Sequence, residues 1–390
     1  MFRRFAVVSL SFALAVPAAA QSTRAEAVAT EQAKKVKALR PEGPNKAELF
    51  IIRVTKAIGR TPEGPYPWFG SIFPGGLMAA GVGYGRSLPR GSRVNFVGGV
   101  SAKLYKLLAA DFAPRELVEG RLHTSFGVEW IDAGSVAFHG LGPNSSAQRA
   151  TFGYQPTTVH GTARFRAHRW VTANGGYNFL HTVTDAGAGI AGRFTPAETP
   201  GLLEPLNFNV AQIGVTVDTR SSPGYSTRGA MLRGSWSTHR ERDNKPFSFT
   251  TSEYEAGVLI PLVREQFGLM FRALATVSDP DDDSRVPIMF APDVGSGTTV
   301  RGFPNRRFQD NGRLVLTGEY RWRPSRYLDM AIFLDAGQVA PDWKSFRREA
   351  LETGWGIGAR LHGPSFTVLR LEIARTRTGL NLVVAATPAF

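Results

Sequence analysis

No cysteine occurs in the 390 residues, which excludes disulfides, thiolate metal sites and a cysteine nucleophile. Long apolar runs are nearly as scarce. Past residue 20, no segment approaches the ~20 unbroken apolar residues that a membrane helix needs. A mature chain that sits in a membrane must then do so as a closed barrel, because only helices and barrels satisfy their backbone polar groups in lipid. Catalytic signatures are missing too. There is no Gly-x-Ser-x-Gly elbow. The seven histidines, His123, His139, His160, His168, His181, His239 and His362, fall in no metal-binding spacing. His139 in a loop and His362 in a turn are expected to be solvated. Asp279, Asp281, Asp282 and Asp283 cluster without the Gly and terminal Glu of a calcium loop, so they too are expected in a solvated loop. The chain is therefore expected to be no enzyme and to need no metal or cofactor.

What is abundant points to strands. Gly 42, Pro 25 and Phe 26 suit many short strands joined by tight turns better than they suit helices. The alternating glycines at Gly81, Gly83 and Gly85 lack the strand–turn–helix context of a nucleotide fingerprint. They fit a tightly curved wall. The formal charge of +14 is strongly basic. An exported chain rarely meets nucleic acid, so anionic lipid headgroups or a basic lumen wall account for the surplus more simply.

Export is written at the amino terminus. Residues 1–20 carry Arg3 and Arg4, an apolar run from Phe5 to Val16 and the small residues Ala18–Ala20. This is the pattern of a secretory signal peptide cut before Gln21, and its apolar run is too short to anchor in a bilayer. Residues 21–65 are polar and broken by Pro41, Pro44, Pro62 and Pro65, with one short helix expected between Ala25 and Leu39. They read as a periplasmic tail too short for a folded accessory domain plus a linker. At the other end, residues 380–390 alternate and finish on Phe390, which resembles the terminal strand of outer-membrane barrels.

Strand patterns begin near Leu77, and residues 66–113 have room for three or four. Later ones are expected near 119–132, 151–165, 169–181, 209–220, 228–237, 250–261, 267–277, 313–323, 327–337, 351–361, 366–375 and 380–390. Gly134 to Ala150 and the stretch up to Pro205 read as long loops. Short and long connections alternate, as in a barrel with periplasmic turns and extracellular loops. In 313–322, Leu314, Leu316, Tyr320 and Trp322 share one face, while Arg313, Thr317, Glu319 and Arg321 share the other. Parity also places Asp335 with Phe333 and Gly337, opposite Ile332, Leu334 and Ala336. Two lumen carboxylates on neighbouring strands need a cation. Arg301, in the longest loop, can fork onto one or bridge both.

Three motifs carry a family resemblance: Val300-Arg301-Gly302-Phe303, Phe333-Leu334-Asp335-Ala336-Gly337, and Asp218-Thr219-Arg220 followed by Pro223. With them the chain resembles the barrel of the BamA/TamA superfamily, also known as bacterial surface antigen. It looks like a member without the periplasmic POTRA domains that normally precede that barrel. Phe138 to Ser146 is similar to a loop of its short members. The resemblance implies a sixteen-strand barrel over 66–390, in the outer membrane of a Gram-negative cell. Its sixth extracellular loop would fold inward, with Arg301 locked on Glu319, Asp335 or both. It also implies insertion or translocation of unfolded outer-membrane or secreted proteins, among outer-membrane lipid and lipopolysaccharide, with a separate periplasmic partner as a further expectation. A passive pore or structural barrel is the alternative.

Overall fold

The computed structural model describes residues 26, 28–32, 49, 63–146, 148–363 and 366–385. The chain divides into two compact units, Met1–Phe50 and Ile51–Phe390. In the first, Glu26 and residues 28–32 are helical, inside the helix expected between Ala25 and Leu39. The signal peptide, most of the expected tail and residues 386–390 with Phe390 lie outside the described residues.

The second unit is built of strands: β1 (Gly64–Gly70), β2 (Ala79–Ser87), β3 (Arg93–Ser101), β4 (Lys106–Ala113), β5 (Leu122–Phe138) and β6 (Ala150–His168). β7 (Val171–Ala186), β8 (Leu206–Asp218), β9 (Gly229–Glu241), β10 (Phe249–Pro261) and β11 (Phe267–Pro280) continue the wall. β12 (Asp293–Val294) and β13 (Phe308–Gln309) pair only with each other, inside the loop that follows β11. β14 (Gly312–Ser325), β15 (Leu328–Ala340), β16 (Glu352–His362), β17 (Thr367–Thr376) and β18 (Gly379–Ala385) complete it. The wall is one 16-stranded sheet in chain order, each neighbour antiparallel. It is a transmembrane β-barrel wall. No helix among the described residues is long and apolar enough to cross a membrane.

The alternation of side chains explains why these segments form strands and why they line a lipid–water boundary. Tyr177, Phe179, Ile213, Val215, Leu232, Trp236, Ile332, Leu334, Trp355 and Ile357 all stand exposed on the outer face. The opposite face buries Glu255, Glu319, Asp335, Arg360, Arg370 and Glu372. A water-soluble sheet would reverse this, so the outer rows face lipid and the inner rows a polar lumen.

The longest connections, after β5, β7, β11 and β15, lie at one end of the wall as expected. At the other end the turn after β8 (219–228) is longer than the connection after β9 (242–248), which corrects the expected strict alternation. The loop with Arg301 joins the eleventh and twelfth wall strands, and Asp335 is on the thirteenth. Two further expectations need correction. The wall starts at Gly64 rather than near Leu77, so residues 64–113 hold four strands. Pro65 made the start of this stretch read as tail, but Pro65 and Pro67 share one parity on a strand that is an edge among the described residues and whose ladder to β2 is continuous. The missing donors therefore fall on the free edge, where proline is tolerated. The second correction concerns β5, which runs on through Gly134 to Phe138 by way of a bulge between Ala133 and Val136. Burial of Ala133, Val136 and Phe138 against Phe152 and Ile288 overrides the glycine break.

Candidate functional site

Residues 281–311 leave the top of β11 and fold inward. An apolar cluster carries them: Val294, Val300, Phe303 and Phe308 pack with Leu274, Val315 and Val339 of β11, β14 and β15. Phe303 meets Phe308 edge-to-face at 5.3 Å. Arg301, only 2% exposed, projects from this cluster into the wall. Its Nε and Nη2 donate to the two oxygens of Asp335 at 2.7 Å each, a bidentate fork. Its main-chain N–H donates to the same carboxylate at 3.1 Å. Nη1 donates to Glu319 at 2.6 Å and to Glu372 at 3.1 Å. Its Cζ lies 3.5 Å from the centroid of the Phe333 ring, a cation–π contact in a desolvated place.

Glycines allow the approach. Gly302 has φ +96, and a Cβ there would lie 2.7 Å from the Thr376 methyl. Gly337 faces Val300, where a Cβ would fall 2.7 Å from Val300 Cγ2. The Asn381 side chain donates to the Gly302 carbonyl, so β18 also holds the loop. Its tip is held from two sides of the wall. Arg272 on β11 donates to Thr298 O at 2.8 Å, and Arg370 on β17 donates to Gly297 O at 2.7 Å.

The carboxylates hold more than one arginine. Glu319 accepts two bonds from Arg360, at 2.8 and 2.9 Å, and one from Arg321 at 2.8 Å. Glu372 accepts from Arg360 at 2.8 Å, with Arg370 3.5 Å away. Four guanidiniums and three carboxylates thus share one buried network, and removing any carboxylate leaves at least one buried cation short of a partner.

Above this network, the loop after β5 adds a second layer. Gly142 donates to Gln309 O at 2.7 Å, Arg307 to Ser145 Oγ at 3.0 Å, and His139 Nδ1 lies 3.1 Å from Arg306 O. His139 is buried, a correction to the solvated loop expected for it. Burial depresses its pKa, with Arg307 and Arg149 nearby adding to the effect and the bond to Arg306 O opposing it.

Of the residues singled out in the sequence, Val300, Arg301, Gly302, Phe303, Glu319, Phe333, Asp335 and Gly337 come together here. Asp218, Arg220 and Pro223 do not. They form the turn at the other end of the wall, where Arg220 forks onto Asp218 at 2.7 and 2.9 Å. Sequence reasoning put Arg321 on the polar face of its strand without assigning it a role, and missed Arg360, Arg370, Glu372, Arg272 and Asn381. A usable signal existed on β16, where Gly354, Gly356 and Gly358 leave a smooth inner row that ends in Arg360. His362 was expected to be solvated, and it is buried at the end of β16, 3.1 Å from Asp329. No group of three or more His, Asp or Glu that could hold a metal occurs among the described residues.

BamA from Haemophilus ducreyi lacking POTRA domains 1–3 superposes with a TM-score of 0.62 at 12% identity, over 82% of this chain and 69% of that one. CdiB from Escherichia coli gives a TM-score of 0.51 at 14% identity, over 83% of this chain and 62% of that one. At such identities the likeness is one of fold, and it covers less than two thirds of that CdiB chain. A search of curated proteins gave no match. The sequence itself matches the Omp85 superfamily domain over residues 90–378, so this barrel belongs to the Omp85 superfamily.

Proposed function

We infer that the protein works in the outer membrane as an insertase or translocator of other polypeptides, with the loop 281–311 locked in the lumen by Arg301. The observation that carries the reading is the buried arginine, forked onto Asp335 and bonded to Glu319, in a chain of this superfamily. A buried guanidinium with three carboxylate partners fixes the loop far more firmly than a solvated charge pair would. The likeness to BamA and to CdiB favours polypeptide clients over small solutes. Outer-membrane lipid and lipopolysaccharide surround the barrel in this reading, a separate periplasmic protein delivers clients, and no catalytic step is assigned to the chain.

Among the described residues no ladder joins β1 to β18, the two ends of the sheet. That pair of edges is where an incoming strand would add by backbone pairing. Because the native chain has no cysteine, a disulfide engineered between β1 and β18 is a clean probe. It should abolish client handling until reduced, and undiminished activity in the oxidised form would argue against the edges as the working surface.

The main test reconstitutes purified protein in liposomes and follows the folding rate of an unrelated urea-unfolded barrel. Acceleration by the native protein, lost in Arg301→Ala, is the expected result. If the native protein gives no acceleration, the insertase reading fails. The passive-pore alternative then gains, and deleting residues 296–308 should raise conductance on the same vesicles.

A further inference from the structure

The turn between β8 and β9, Thr219–Arg228, sits at the end of the wall opposite the Arg301 loop, yet it behaves like no ordinary turn. Instead of closing tightly over its own hairpin, it reaches the ends of β15, β16 and β17. Those are the thirteenth to fifteenth wall strands, whereas the turn springs from the eighth and ninth. Gly224 pairs with Phe366 in the only parallel bridge among the described residues. The Gly224 carbonyl accepts from Thr367 N at 3.0 Å and from its Oγ1 at 3.3 Å. Tyr225 stacks on His362 with ring centroids 3.6 Å apart and planes 11° from parallel. Its hydroxyl donates to the Asp329 carboxylate, 3.0 Å from each oxygen, and His362 Nε2 meets the same carboxylate at 3.1 Å. Thr227 donates to Glu265, in the neighbouring turn, at 3.1 Å.

The segment is stiff enough to act as one piece. Arg220 forks onto Asp218 at its start, and Ser221 meets Ser226 Oγ at 2.9 Å across it. Pro223 restricts its bend. Tyr225 and Thr227 line a small space together with Met270, Arg321, Arg323 and Asp329. Arg321 and Met270 are the lower edge of the arginine network, since Arg321 holds Glu319 and also reaches Met270 Sδ at 3.0 Å. The turn therefore floors the lumen directly below that network.

We propose that Thr219–Arg228 is a strap that closes the periplasmic mouth beneath the Arg301 site and can be released. Release costs little because the attachment is small. One bridge reinforced by Thr367 Oγ1, one tyrosine side chain and the Thr227–Glu265 bond hold the strap, against ladders of seven or more paired residues between wall strands. Segments with so few buried contacts open well before the global fold does. The proposal stands whether or not the protein is an insertase, because it concerns access to the lumen alone.

The test uses the absence of cysteine. Met270→Cys puts a single reporter thiol on the inner wall above the strap, in the full-length protein in liposomes or detergent. Its labelling by a bulky, membrane-impermeant maleimide is timed with the strap intact, with Tyr225→Ala added, and with residues 222–226 replaced by two glycines. Opening the strap should speed labelling roughly tenfold or more in both variants. The heat-dependent gel mobility of a folded barrel confirms that each is intact. Equal labelling rates in folded protein of all three forms would overturn the proposal. A disulfide between Gly224→Cys and Phe366→Cys, without the reporter, gives an independent reading by conductance. It should lower conductance until reduced, and conductance unaffected by the bond would likewise count against the strap.

Discussion

The loop carrying Arg301 and the turn carrying Tyr225 both leave the strands that bear them and reach β15 and β17, one from each end of the wall. Their attachments differ in kind. The loop is held by a buried cation shared among three carboxylates and by an apolar cluster around Val300 and Phe303. The turn is held by a neutral hydroxyl on Asp329, a stacked imidazole and one short bridge. A buried ionic network resists partial disassembly, because each step strands a charge. A hydroxyl that leaves a carboxylate finds water instead, at small net cost. The same two strands thus hold one segment by shared charge and the other by a hydroxyl, a stacked ring and a single bridge.

Glu319 tests this difference most severely. Glu319→Ala leaves Arg301, Arg321 and Arg360 without their common acceptor and should cost about 3–5 kcal/mol. Urea unfolding in detergent measures it, and a loss near zero would mean that the network contributes no stability. Arg301→Lys keeps the charge but cannot fork onto Asp335, so a loss of roughly 1.5–3 kcal/mol is expected. If lysine matched arginine, geometry would be irrelevant and charge alone would hold the loop. Gly302→Ala puts a Cβ into the Thr376 methyl at positive φ, for about 1–3 kcal/mol. Faster proteolysis within 296–308 should accompany it. Tyr225→Phe removes one bond from a carboxylate that His362 still meets, and should cost about 1.5 kcal/mol in global stability. A loss as large as that of Glu319→Ala would erase the contrast between the two segments.

The smallest effect concerns pH. His139 is held below its ordinary 6.5 by burial, so the unfolded chain takes up the proton first as pH falls. Its contribution to stability is present above 6.5 and is lost as pH drops from there toward the lowered folded value. His139→Gln should flatten that slope, read as the difference between urea midpoints on either side of 6.5. An unchanged slope would show that other groups set it.

Much of the wall was legible in the sequence. In β14 and β15, alternation put Glu319 and Asp335 on the inner face beside a family motif, and the Arg301 loop was long enough to reach them. What escaped had physical reasons. Pro65 looks like a strand breaker until one knows that β1 is an edge among the described residues. Gly134 looks like a loop start until a bulge keeps β5 going. Glu372 and Arg360 belong to strands far along the chain, and parity alone says which way a side chain points, not which cation it will meet. His362 reads from the sequence as a solvated turn residue, and nothing in the pattern singles out Asp329. Their partner Tyr225 lies more than a hundred residues away from either, and no periodicity announces such a contact.

The spacing of the arginine's partners along the chain has a consequence for assembly order. Glu319 and Asp335 stand on adjacent strands of one hairpin, 18 and 34 residues from Arg301, whereas Glu372 is 71 residues away. Local contacts form before distant ones when loop closure limits the rate. A nascent barrel that ends after β15 could already grip Arg301 by two carboxylates. The third acceptor for Arg301, which is also the second for Arg360, arrives only when β17 has been laid against β16. The site is therefore complete only once the wall nearly is, and the number of acceptors Arg301 holds records how far construction has gone.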